Sequence, residues 1–382
     1  MSVSGTDQGM DMRAYEVEMI RDGKVKYFFI RNMETMEIEL LPTRFLTHKT
    51  RAQESPNTVG SLARSICYYM NFCDGRQMGF TDVCQMDYEA QFNHFTDFLQ
   101  WLKAGNHTKN LKKTPRNRTC NTYLKNVFGF FSFLEMAEDQ FGPLQVLSYG
   151  TIHVANSVGV KRRLRFRSFA GYLKEEEREV RAAEKNEIVT ILEACTNCRD
   201  QLLILMASEL GFRIGELLGI DYTKDIDYEN HSVRVCFRDD NANDARAKNA
   251  EERKGRLSAD TYDFLLFYIS EYWDILRRQN YLFINITGET EGKPMQVASV
   301  YDMFHRMEKK TGIKITPHML RRYFANARWD SGWPLELVSQ SLGHRHLDTT
   351  TRYLNLMDDK LKQASTEFYN KHSALYGVQE LL

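Results

Sequence analysis

Between Ser55 and Phe141 the apolar side chains return every three or four positions, and no other feature constrains this chain as much. Val59, Leu62, Ile66, Tyr69 and Met70 make one stripe. Phe92, Phe95, Phe98, Leu99 and Leu102 make a second, and Tyr123, Val127, Phe130, Phe131 and Leu134 a third. Stripes this wide must be covered by other helices, so the segment reads as a small all-helical domain. Its aromatic residues read as core rather than as a ligand box. A basic loop, Lys109 to Arg118, joins two of the helices.

Ahead of that domain the period is two. Tyr15, Val17 and Met19 alternate, Asp22-Gly23 signals a turn, and Val25 to Ile30 follows, with Met36, Ile38 and Leu40 beyond. This reads as a β element of two or three strands over residues 1–50. It is not basic, so it reads as a cover for residues 51–150 more than as an arm. Gly142 to Lys174 shows no clear period, and residues 151–178 read as a basic interdomain linker. Beyond it, Glu187 to Cys195, Arg199 to Leu210, Arg213 to Leu218 and Tyr262 to Leu276 read as helices. Asp225 to Phe237 reads as a hairpin turning at Asn230. Val297 to Tyr369 reads as mostly helical, with breaks at Gly312, Gly332-Trp333-Pro334 and Gly343. The fold class is therefore mainly α with a small β-sheet (α+β), and residues 179–382 form the second large domain and its tail.

The chain carries 51 Lys+Arg and 51 Asp+Glu. That balance excludes a histone-like, wholly basic binder, but local charge is what matters for a polyanion. Residues 100–167 hold twelve basic and three acidic side chains. One cluster is Lys109, Lys112, Lys113, Arg116 and Arg118; the other is Lys161, Arg162, Arg163, Arg165 and Arg167. Each phosphate such groups neutralise releases counterions. For either cluster alone, a solvated loop is an equally good reading. No run of about 18 apolar residues exists to cross a membrane, and the start lacks the pattern of a secretory signal. Seven cysteines, an odd number, suggest reduced thiols in a cytoplasm. Cys195-Thr-Asn-Cys198 has zinc spacing but lacks a second ligand pair. Gly288-Glu-Thr-Glu-Gly292-Lys293-Pro294 is one residue short of a phosphate loop and has Pro where Ser/Thr must hold magnesium. No metal and no cofactor are expected.

Four segments of the second domain supply the residue types that phosphoryl transfer requires. Arg213, in Gly211-Phe-Arg-Ile-Gly-Glu216-Leu-Leu218, can hold two phosphate oxygens in its planar fork, with Glu216 one turn on to steady it. Lys248 lies in a charged stretch running through Arg253 to Ser258, where a long amine can reach a leaving oxygen. Thr316-Pro317-His318 opens a helix on which His318 and Arg321 share a face. Gly343 can end one helix and His344 begin the next segment, with Tyr353 nine residues on as an oxygen nucleophile. Singly, each segment also reads as an ordinary polar helix start or charged loop.

Taken in order, Arg213, Lys248, His318-x-x-Arg321, Leu342-Gly343-His344 and Tyr353 resemble the six catalytic positions of the tyrosine recombinases, the family of phage integrases and transposon integrases. Arg253 to Ser258 keeps that family's spacing after the lysine, and Arg322 departs from the second histidine many members carry. The resemblance implies a site-specific recombinase that cleaves DNA through a 3′-phosphotyrosyl bond without metal or ATP, for integration or excision of a mobile element. It implies a homotetramer on two double-stranded DNA sites, accessory DNA-bending proteins and a cytoplasmic, nucleoid-associated location, with no membrane. It also implies that residues 51–150 form a core DNA-binding domain and that both basic clusters contact phosphates. A topoisomerase IB-like relaxase and a DNA-binding regulator with a vestigial site are the alternatives.

Overall fold

The structure, a computed structural model, describes residues 14–23, 25–108, 114–155, 161–176, 181–238, 241–243, 245, 252–344 and 350, with backbone alone for 148–155 and 161–167. The chain divides into two compact units, 1–178 and 179–382.

The first unit opens with an antiparallel hairpin, β1 (Tyr15–Asp22) and β2 (Val25–Asn32). Asp22 lies opposite Val25, and Gly23 takes the left-handed φ of 56° that so tight a turn demands. The third strand anticipated through Met36, Ile38 and Leu40 is absent. Ile38 makes one bridge to Arg31, and Leu40 opens helix α1 (Leu40–Arg51), which buries Phe45 and Leu46. The hairpin packs on the helices that follow. Phe29 and Ile30 are buried, the Tyr15 N–H donates to Asn71 Oδ1 (3.2 Å), and Asn71 Nδ2 donates back to the Tyr15 carbonyl (3.0 Å).

Asn71 lies on α2 (Pro56–Asp74), which starts as its sequence dictates. Ser55 Oγ accepts from the Thr58 N–H (3.2 Å), and Pro56 occupies the first turn. Then come α3 (Phe80–Gln85), α4 (Tyr88–Lys103), capped by Asp87, and α5 (Asn117–Ala137). The three stripes meet in one core, where Ile66, Tyr69, Phe95, Phe98, Leu102, Val127, Phe130 and Leu134 are fully buried. Each such side chain contributes roughly 1.5–3 kcal/mol, enough for this core to fix the helices. The Tyr69 hydroxyl hydrogen-bonds His94 Nε2 inside it (2.8 Å).

Residues after Gly142 correct the linker reading. Ser148–Ala155 (β3) and Lys161–Ser168 (β4) form an antiparallel hairpin in which Ile152 lies opposite Leu164. Alternation is present in Arg163-Leu-Arg-Phe-Arg167, but five cations in seven positions hide it.

The second unit starts with α6 (Lys185–Ala194), α7 (Cys198–Leu210) and the single turn α8 (Ile214–Leu217). Leu202, Leu203, Ile204, Met206 and Ala207 of α7 are all buried. A helix apolar on every side must be central, and α6, α8, α9 and α12 all pack against it. The expected hairpin, β5 (Ile226–Asp227) and β6 (Ser232–Val235), gains a third antiparallel strand, β7 (Arg253–Arg256). The helix anticipated over Tyr262 to Leu276 is two, α9 (Ala259–Glu271) and α10 (Trp273–Leu276), broken at Tyr272. Then follow α11 (Val297–Thr311), α12 (Pro317–Asp330) and α13 (Leu335–Leu342), separated where Gly312 and Gly332–Pro334 interrupt the pattern. Burial, helped by Asp200 and opposed by Lys310, pushes the Cys195 thiol up to about 12, and its Sγ donates to the Ile191 carbonyl. Among the described residues no group of His, Cys, Asp or Glu is arranged to hold a metal ion.

Burial, helped by Arg76 and opposed by Asp97, pushes His94 down to about 4, below the ~6.5 of an unfolded chain. Between those values the unfolded state binds a proton the native state refuses. The contribution is therefore whole above pH ~6.5 and lost as pH falls toward 4, by at most about 3 kcal/mol. His94→Gln should flatten the fall in melting temperature over that window; an unchanged slope in thermal denaturation would remove His94 as its source.

Candidate active site

Gly211 ends α7 with a left-handed φ of 62°, and the Phe324 ring of α12 occupies the space a β-carbon would need. The two helices therefore pass closely, and Arg321, almost a turn before Phe324, reaches the end of α7. Its Nη1 donates to the Gly211 carbonyl (2.6 Å), and its Nη2 donates to the Leu342 carbonyl at the end of α13 (2.6 Å) and to His344 Nε2 (3.1 Å). Arg321 is 1% exposed, so a guanidinium at the centre of the unit closes α7, α12 and α13 on one another.

His344 follows Gly343, whose φ of 62° ends α13. A guanidinium only donates, so His344 Nε2 accepts and the ring proton sits on Nδ1, 2.9 Å from Thr350 Oγ1. Burial, then the charges of Arg321, Arg213, Arg253 and His318, push His344 down to about 3. The imidazole is thus neutral near pH 7, and all four cationic or basic groups are near enough to act on it.

Arg213 precedes α8. Its backbone N–H donates to Glu216 Oε2 (2.6 Å) and its Nη1 donates to Glu216 Oε1 (2.9 Å). The Glu216 side chain is wholly shielded from solvent. It is shared with a second cation, Arg253, whose Nη2 donates to Glu216 Oε2. Burial pushes Glu216 up, but Arg253 and then Arg213 outweigh it, and the carboxyl lies below its usual range. His318, in the first turn of α12, is exposed; Thr316 caps that helix through the Met319 N–H, with Pro317 next, as its sequence predicts. An open cleft of about 700 Å³ is lined by Arg253, Lys254, Ser339, Gly343 and His344, among others.

Of the sequence candidates, Arg213, His318 and Arg321 are thus gathered around His344, which alone of the four lines this cleft. Lys248 and Tyr353 lie outside the described residues, as do Lys109, Lys112 and Lys113. Lys161, Arg162, Arg163, Arg165 and Arg167 lie on β4, where only the backbone is described. Arg116 and Arg118 are exposed at the start of α5. Arg118 lies 3.8 Å from Glu175, and the Asn117 N–H donates to Glu176 (3.0 Å). Sequence reasoning missed Arg253 and Thr350. The only signal for Arg253 was its place five residues after Lys248.

Residues 180–360 match the model of the phage integrase family. Residues 180–360 carry the pattern of that family, the tyrosine recombinases. It is similar to transposase A of transposon Tn554 from Staphylococcus aureus, 28% identical over 346 residues, 86% of this chain and 90% of that protein. It is also similar to tyrosine recombinase XerA from Saccharolobus solfataricus, 31% identical over 188 residues, 48% of this chain and 55% of that one. Among solved structures, the Tn1549 transposon integrase in complex with transposon right end DNA shares its fold, with a TM-score of 0.58 at 16% identity. That match covers 86% of this chain and 98% of the integrase chain. A tyrosine recombinase is a DNA strand-transferring enzyme, and all six sequence candidates for catalysis fall within the matched residues.

In this recombinase, Gly211→Ala adds both a disfavoured φ and an overlap with Phe324 at the point where Arg321 is anchored. It should cost about 2–4 kcal/mol of stability and disturb the site. Urea denaturation monitored by circular dichroism checks this; a loss within ~0.5 kcal/mol would show that α7 and α12 have room to part.

Proposed function

We propose that this tyrosine recombinase cuts and rejoins DNA at specific sites through a 3′-phosphotyrosyl intermediate, with Tyr353 as nucleophile and without metal or ATP. The observation that carries the reading is the convergence of Arg213, Arg321 and His318 on a neutral, half-buried His344. An enzyme of phosphodiester cleavage must lower its barrier by about 8–23 kcal/mol, and fixed guanidinium groups facing the developing charge are an effective way to do so.

The Tyr353 hydroxyl attacks the scissile phosphorus in line. Its proton passes to His318, the P–O5′ bond breaks, and Lys248 gives a proton to the departing 5′ oxygen. Arg213 and Arg321 hold the non-bridging oxygens in two-pronged contacts. A phosphate entering the basin brings negative charge, which draws His344 back up and lets Nε2 donate to an oxygen once Arg321 turns from it to the phosphate. The bond energy stays in the phosphotyrosyl link, so a 5′ hydroxyl of another strand can reverse the attack. Thr350 supports the placement of the nucleophile. It is fully buried and bonded to His344, and three residues of chain keep the Tyr353 Cα within about 11 Å of it.

Arg116, Arg118 and the cations of 109–113 and 161–167 are the phosphate contacts of this reading; they fix register without reading sequence. Arg118 must exchange Glu175 for a phosphate, a small cost for an exposed pair. The function is integration or excision of a mobile element, as the names of the transposase and integrase relatives suggest. It is carried out by a homotetramer on two DNA sites in the cytoplasm.

Tyr353→Phe should keep DNA affinity and abolish the covalent adduct formed on a nicked suicide site, read on a denaturing gel; adduct from the Phe variant would assign the nucleophile elsewhere. Arg213→Lys should slow single-turnover cleavage by about 10²-fold or more, because a point charge cannot make the two-pronged contact. Cleavage at the native rate would take the clamp away from Arg213.

A further inference from the structure

Burying one carboxylate between two guanidinium groups is an unusual arrangement beside a phosphate site. Each charge costs several kcal/mol to desolvate, so such a group persists only when every partner is well placed. The charge and hydrogen bond of Arg253 are the largest influences opposing burial at Glu216, ahead of those of Arg213. The Arg253 side chain is 7% exposed, so it is part of the interior rather than a solvent-facing member of the charged loop.

Three elements fix it. It opens β7, its guanidinium lies 5.0 Å over the Phe212 ring, and its Nη2 donates to Glu216. A β-carbon on Gly343 would come within 2.6 Å of Arg253 Nη1, so the guanidinium also lies against the turn that delivers His344. One side chain thus touches the supports of two site residues, Arg213 through Glu216 and His344 through Gly343. It does so from the strand that follows the stretch carrying Lys248.

We propose that Arg253 is a positioning residue of strand cleavage: it holds Glu216 so that the fork of Arg213 faces the phosphate, and it sets the turn before His344. The inference rests on the reading of Arg213 as a phosphate clamp. Two guanidinium groups on one carboxylate leave one positive charge over, which keeps the basin attractive to an anion while the carboxylate fixes the geometry. Displacements of about 1 Å at such a clamp are felt in the rate rather than in binding.

The test is a double-mutant cycle in the full-length recombinase, reading single-turnover adduct formation on suicide DNA beside DNA affinity and melting temperature. Arg253→Lys keeps the charge and loses the fork. It should slow cleavage by about 10²-fold while the dissociation constant for DNA changes by less than about twofold. In the Arg213→Lys background the same change should cost almost nothing, because the group it positions is gone. Phe212→Leu removes the ring beneath Arg253 and leaves every charge in place. It should slow cleavage by about 10-fold, and again only when Arg213 is present. Equal penalties in both backgrounds, or weakened DNA binding that accounts for the whole defect, overturn the proposal and leave the clamp standing. An Arg213→Lys enzyme that cleaves at the native rate overturns the clamp and this inference with it.

Discussion

The catalytic unit depends on a cation at its centre. Arg321 is all but inaccessible to solvent, and its guanidinium spends its hydrogen bonds on the ends of two helices and on an imidazole. The ends of helices leave carbonyl groups unsatisfied, and a fork with five N–H donors can satisfy several at once. The same group that would clamp a phosphate therefore also holds α7, α12 and α13 in register. A lysine could not make these contacts together, since it has no planar fork.

A second ionic device surrounds the first. Glu216 accepts from the Arg213 backbone, the Arg213 guanidinium and Arg253, all inside a shielded pocket. Two left-handed glycines make the geometry feasible. Gly211 lets the Phe324 ring close on the chain just ahead of Arg213, and Gly343 lets Arg253 pass beneath the turn into His344. The electrostatic outcome is a histidine kept neutral by burial and by the cations around it.

The first unit works by different physics. Its core is aromatic, with buried polar contacts such as the hydrogen bond between Tyr69 and His94, and a β-hairpin closes one side of it. Much of this was legible in the sequence. The helical stripes, the Ser55-Pro56 start, the Asp22-Gly23 turn and the glycine breaks in the second unit all carried local signals. The third strand considered at Met36 to Leu40 shrinks to one bridge at Ile38, because α1 starts at Leu40 and buries Phe45 and Leu46. The β3–β4 hairpin was hidden because charge masked its alternation.

The sequence by itself determined which side chains are the candidates for the chemistry. Arg213, His318, Arg321 and His344 were identifiable by type and order, as were Lys248 and Tyr353, because that order and spacing resemble a known family's pattern, although each segment alone reads as an ordinary polar stretch. Only the tertiary structure decided how four of them are supported. Nothing local distinguishes Arg253 from the other cations of its charged stretch, or makes Glu216 a shared carboxylate, or turns Arg321 toward the carbonyls of residues 110 and 21 positions away in the chain. Those facts depend on which helices meet, and contacts between distant segments leave no period and no spacing in the sequence to read.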